Sequence, residues 1–181
     1  MSSYDPDYLL GKIGLEEMNR RSVQAFENMV EERRFFQDAI VTLITDEYVK
    51  EKKDFSSEAF HLSIWNASTI ILNGLEVQVV VDGDDKLHIS YGTAGFVSFL
   101  KNPVGLKLPV KCWIHTHPFG AAYFSGTDWN TVSIWEPLME CAYVLGGPEH
   151  FGHWEQDTPN ELCIHKDGLY TVQYKNGSEE E

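Results

Sequence analysis

The segment His115-Thr116-His117-Pro118, with Ser125 and Asp128 close behind, constrains this chain most, because it asks a strand, a loop and a helix start to meet at one point. Leu108-Pro109-Val110 and Lys111-Cys112-Trp113-Ile114 form an apolar, β-prone run, which places His115 and His117 near the end of a strand. Strand side chains alternate between faces, so both imidazoles point the same way and can serve one ion as neutral nitrogen ligands. Pro118 stops the ladder, and Phe119 to Phe124 make a loop of aromatic and small residues. Ser125 or Thr127 then caps a helix running through Asn130, Val132, Ile134 and Trp135. Asp128, in the first turn of that helix, can swing back as a third protein ligand. The fourth position is left to water, which separates a catalytic zinc from a closed structural one.

His-x-His-Pro, the seven residues between His117 and Ser125 and the two between Ser125 and Asp128 together resemble the signature of the JAMM (MPN-plus) zinc metalloproteases. The resemblance implies one catalytic zinc held by His115, His117 and Asp128, with Ser125 steadying the oxyanion and an upstream glutamate as general acid and base. It places that glutamate at the head of a hydrophobic strand, after a short helix and some fifty to sixty residues before the first His. Glu58 opens the run Ala59 to Trp65 and stands 57 positions before His115. His61 occupies the place where the family usually has Gly. Glu76, inside Leu75 to Val81 and 39 positions upstream, is the competitor, with a solvent-facing strand position as its ordinary role. We expect Glu58 to be the base.

The same resemblance points to isopeptide or peptide bonds at the C-terminus of ubiquitin or a ubiquitin-like protein. Such a substrate enters as an extended strand against a sheet edge beside the metal. Phe119, Tyr123, Phe124 and Trp129 flank the ligands and either wall that channel or pack in the core. Two other readings keep part of the pattern: a zinc peptidase acting on phage-tail or cell-wall peptides, and a non-catalytic MPN scaffold. A second zinc among Cys141, His150, His153, Cys163 and His165 has no spacing to recommend it.

A chain of 181 residues, 43% hydrophobic, suffices for one well-filled core with an extension. A formal net charge of −14 argues against nucleic acid, and Arg20-Arg21, Arg33-Arg34 and Lys50 to Lys53 are interleaved with acids. No apolar stretch approaches a membrane span, and Met1 to Asp5 lacks the pattern of a secretory signal, so the expectation is a soluble, cytoplasmic protein. Cys112, Cys141 and Cys163 read as buried thiols rather than a disulfide framework.

Three regions follow. Residues 1–39 form a helical extension with Met18, Val23, Phe26, Met29 and Val30 at helical spacing; it either packs on the domain or docks a protein partner. Residues 40–175 form the body and 176–181 an acidic tail. Within the body, Ile40 to Ile44 reads as a first strand, Thr45 as a cap, Asp46 to Lys53 as a short helix, and Glu58 to Trp65 as a strand. Ile70 to Leu72 and Leu75 to Val81 are further strands, Asp82 to Asp85 a hairpin turn, and Lys86 to Tyr91 the return. Thr93 to Lys101 reads as a helix, followed by the ligand strand and a helix from Asp128 to about Glu140. Cys141 to Leu145 is a strand, and Glu161 to His165 and Leu169 to Tyr174 form a closing hairpin. This order makes an α/β layered domain around one mixed sheet. It agrees with the MPN (cytidine-deaminase-like) fold that the resemblance implies.

Overall fold

The computed structural model describes residues 14–93, 105–147, 159–165 and 170–173, which fall into two units dividing between Asp38 and Ala39. A single helix, α1 (Leu15–Lys50), runs through that division. The expected strand over Ile40 to Ile44 is therefore helix, as is the stretch from Thr45 to Lys50. Ile40, Ile44 and Tyr48 are the buried residues of α1, and their spacing of four is helical rather than alternating. Lys52 and Lys53 take left-handed backbone angles, and the Lys53 N–H returns to the Tyr48 carbonyl at 2.8 Å, which ends the helix. In the first unit, Leu15, Val23, Phe26, Met29 and Phe35 are exposed.

The second correction concerns Glu58. The segment expected as its strand is α2 (Glu58–Asn66), capped by the Ser57 hydroxyl, which accepts the Phe60 N–H. A π-helical turn over Ala67–Ile71 follows, where a strand at Ile70 to Leu72 was expected. Burial of Phe60, His61, Ile64 and Trp65 leaves no polar alternation in this run, so its apolar content alone did not separate helix from strand.

The strands are β1 (Val77–Val81), β2 (Leu87–Tyr91), β3 (Cys112–His117), β4 (Cys141–Gly146), β5 (Asn160–His165) and β6 (Tyr170–Gln173). They form one mixed sheet in the order β2-β1-β3-β4-β5-β6. Among the described strands only β3 and β4 pair in parallel. A parallel pair needs a crossover. It contains α3 (Gly126–Trp135) and a 3-10 turn at Glu136–Leu138, so the helix expected to reach Glu140 stops at Trp135, with Pro137 in the turn that follows.

The sheet is covered on both faces. Val80, Trp113, Val144 and Ile164 point to one face and pack with Phe124 and Met139, against Val132 and Trp135 of α3. On the other face His61 of α2 meets Tyr143 of β4, and Phe60 meets Tyr48 of α1. Each such large apolar side chain contributes about 1.5–3 kcal/mol on burial. The α/β layered class expected from the sequence is therefore observed. The helix expected at Thr93 to Lys101, the turn at Lys166 to Gly168 and the acidic tail lie outside the described residues, Thr93 apart. No helix among the described residues is long and apolar enough to cross a membrane.

Candidate metal centre

His115 and His117 stand on the last turn of the pleat of β3, both on the face that α3 covers. Their Nε2 atoms lie 3.2 Å apart. Asp128 closes the triangle, with Oδ1 3.1 Å from His115 Nε2 and Oδ2 3.3 Å from His117 Nε2. A tetrahedral ion bound at about 2.0–2.1 Å separates its ligands by roughly 3.3 Å, so the triangle has the edges of such a site. All three residues are buried, and they are the one His/Cys/Asp/Glu group of three or more among the described residues that converges closely enough for a metal ion.

Local chemistry explains why Asp128 faces inward. Ser125 is the N-cap of α3: its hydroxyl accepts the Asp128 N–H at 3.2 Å, while its own N–H donates to Asp128 Oδ2 at 2.8 Å. Of the two expected caps, Ser125 is the one used. The Phe119–Phe124 loop is seated by Gly146, which is level with His117 on β4. A Cβ at Gly146 would overlap the Ala121–Ala122 peptide, and the Gly147 N–H donates to the Gly120 carbonyl at 2.8 Å. Only glycine lets the loop cross the sheet this closely.

The electrostatics suit a cation. Burial pushes the His115 imidazole below its ordinary pKa, against the pull of Asp128, and so favours the neutral ring that a metal requires. Burial alone would raise Asp128, but His115, His117 and the Ser125 N–H together hold its carboxyl well below the usual range. Neither His115 Nδ1 nor His117 Nδ1 forms a well-aligned hydrogen bond, although the Tyr143 backbone acts on the His115 ring. The donor set of two neutral nitrogens and one carboxylate therefore fits a divalent ion with an open fourth position.

The structure separates the two candidate glutamates. Glu58 is exposed at the start of α2, whose His61 contacts Tyr143 on the face of the sheet opposite the triad. Glu76 is buried at the head of β1. Its N–H donates to the Thr93 carbonyl at 2.8 Å and its carbonyl accepts the Gly92 N–H at 2.9 Å. Gln78 is paired with His115 across β1 and β3, and the antiparallel register carried two residues further brings Glu76 level with His117. Directly opposite residues share a face, so Glu76 belongs to the face of the triad. Its neighbours are clamped: the Val77 N–H donates to Thr116 Oγ1 at 2.9 Å, Thr116 to Ser68 Oγ at 2.8 Å, and Ser68 to the Leu75 carbonyl at 2.7 Å.

The aromatic residues divide. Phe124 is core, packed with Trp113 and Val144 beneath the site. Phe119, Tyr123 and Trp129 are 44%, 51% and 37% exposed, so they remain open to a ligand, and the Tyr123 ring lies 4.9 Å from that of His117. Trp113, not singled out in the sequence, stacks on His115 at 4.5 Å with the rings 12° from parallel. Its signal was its place two residues before His115 on the same strand face. Of the residues considered for a second zinc, His150 and His153 lie outside the described residues, and Cys141, Cys163 and His165 form no convergent group.

The comparisons add no relative. No family model, no curated protein and no solved structure matches this chain.

Proposed function

We propose that this chain is a JAMM-type zinc peptidase of MPN fold that hydrolyses the bond at the C-terminus of a ubiquitin-like protein, with Glu76 rather than Glu58 as general base. The observation that carries the reading is the convergence of His115 Nε2, His117 Nε2 and the Asp128 carboxylate within 3.1–3.3 Å, with a buried glutamate at the head of the neighbouring strand β1. His115, His117 and Asp128 would hold the ion. When bound, zinc supplies a lowered pKa for water, towards about 7, and polarises the carbonyl under attack.

The chain's own groups do the rest. Glu76 takes a proton from the attacking water and passes it to the leaving amine nitrogen as the carbon–nitrogen bond breaks. Ser125 has its oxygen occupied by the Asp128 N–H, which leaves its hydroxyl hydrogen to donate to the oxygen that gains charge. Trp113 and Phe124 exclude water from beneath the ligands.

The substrate's approach differs from the edge pairing expected beside the metal. β3 lies between β1 and β4, and the sheet's outer strands are β2 and β6. Recognition of an extended tail therefore falls to the exposed Phe119 and Tyr123 beside His117 and to Trp129. The test is cleavage of a ubiquitin-like protein fused through its C-terminus, set against a panel of short peptides. Cleavage of the fusion that is abolished by chelation and restored by zinc supports the reading. Turnover of the peptides alone would assign a general peptidase of the phage-tail or cell-wall kind, and absence of bound zinc would assign a scaffold.

A further inference from the structure

We propose that the segment of α1 from Leu15 to Asp38 pairs with the same segment of a second copy, antiparallel, about a two-fold axis between Ala25 and Phe26. Leu15, Met18, Phe26, Met29 and Phe36 lie along one face of the helix, at spacings of three and four or their sums, with Ser22 and Arg33 completing the row. The row runs on into Ile40 and Ile44, which are buried. Its N-terminal part is different: Leu15, Phe26 and Met29 are 65%, 62% and 58% exposed, and Val23 and Val30 widen the apolar strip. A helix gains most of its stability by packing such a face, and a strip this long on a soluble surface marks an interaction site.

Charge identifies the occupant. The segment carries its charges in blocks: Glu16-Glu17, Arg20-Arg21, Glu31-Glu32 and Arg33-Arg34. An isologous pair places residue i of one copy beside residue j of the other, and j beside i. With the axis between Ala25 and Phe26, Leu15 meets Phe36 of the second copy and Ser22 meets Met29. At 100° per residue, Glu16 and Arg34 lie on one flank of the apolar row, while Arg21 and Glu32 lie on the other. The two-fold axis sets each flank against the same flank of the second copy, so Glu16 faces Arg34 and Arg21 faces Glu32, each pair formed twice. A parallel pairing sets opposite flanks together, so Arg21 would lie beside Glu16 of the second copy instead of Glu32.

Within one chain Glu17 draws Arg20 and Arg21 at 2.8 Å, but these contacts are exposed and rearrange at little cost. The antiparallel sense also suits a chain of net charge −14. It puts the two Ala39 positions roughly 40 Å apart at 1.5 Å per residue. That is several Debye lengths at physiological salt.

The experiment is sedimentation equilibrium on the full chain, with circular dichroism to confirm that each variant keeps its helix. The wild type should be a dimer. Phe26→Glu, which strikes beside the axis in both copies, should weaken association by roughly 100-fold or more, and Arg21→Glu by roughly tenfold. Arg21→Glu combined with Glu32→Arg should recover most of the wild-type affinity. A wild type that stays monomeric, or a dimer indifferent to Phe26→Glu, overturns the proposal. A double variant no tighter than Arg21→Glu alone overturns the antiparallel register.

Discussion

The two faces of the sheet each bury histidine against carboxylate, and they use it in opposite ways. On the α2 face, His61 is fully buried with Nδ1 2.7 Å from Glu161 Oε1 and Nε2 2.6 Å from the Phe55 carbonyl. A carbonyl only accepts, so Nε2 carries a hydrogen and one proton bridges Nδ1 and Glu161. Both nitrogens are consumed within the protein. On the α3 face, two Nε2 atoms and a carboxylate aim at a common point, while Asp128 Oδ2 also accepts the Ser125 N–H that orients it. Residue type is the same on both faces; convergence distinguishes a ligand set from a structural bond.

The largest expected effect is on the convergent face. His117→Ala should abolish zinc binding and peptidase activity together, with metal affinity falling beyond the 10–100-fold typical of outer-shell partners. Metal analysis of the purified variant checks it, and a full complement of zinc would remove His117 from the ligand set. Next comes the glutamate. Glu76→Gln should retain zinc and lose roughly 10²–10⁴ in kcat, whereas Glu58→Gln should stay near wild type. Normal turnover by the Glu76 variant would return the role to another group.

On the satisfied face the expected loss is of stability alone. His61→Ala strands Glu161 without its partner and should cost about 3–5 kcal/mol in denaturant unfolding. Zinc per folded molecule should not change. Loss of zinc in a variant that still folds would mean that the two faces are coupled, which the contrast between them does not allow.

This contrast shows how far the sequence could be read. His115, His117, Ser125 and Asp128 sit within fourteen consecutive residues, where strand period and helix capping alone decide the geometry, and the structure brings them together as expected. Glu58 was misplaced because its position depended on a period in Ala59 to Trp65, a run buried so completely that helix and strand look alike. Ile40 to Ile44 reads as a strand for a different reason, its β-branched residues outweighing the spacing of four that Ile40 and Ile44 share with Tyr48, which was expected in a helix. Glu76 is legible only through register: nothing local to it names His117, and only the pairing of β1 with β3, carried two residues past Gln78 and His115, relates the two across 41 positions. Gly146 is hidden likewise, since the loop it seats belongs to another strand.

A third contact of this type tests the contrast at smaller amplitude. Asp82 is buried at the end of β1 and accepts from the N–H groups of Asp84, Lys86 and Lys107 at 2.9, 3.0 and 3.2 Å, with His88 Nε2 at 2.8 Å. Burial alone would raise its pKa, yet the bonds from His88 and the three backbone donors hold it below the ordinary value. Like Glu161, it is satisfied rather than poised, so Asp82→Asn should cost roughly 1.5–3 kcal/mol at neutral pH and leave zinc binding intact. The sign of the pH dependence follows from the lowered pKa. A carboxylate that binds its proton more weakly when folded adds stability in full above its unfolded pKa of about 3.9, and loses it as pH falls through the lower folded value. Wild type and Asp82→Asn should therefore differ most near neutrality and converge in acid. A gap that persists at low pH would mean that the turn is held by the side chain's shape rather than its charge.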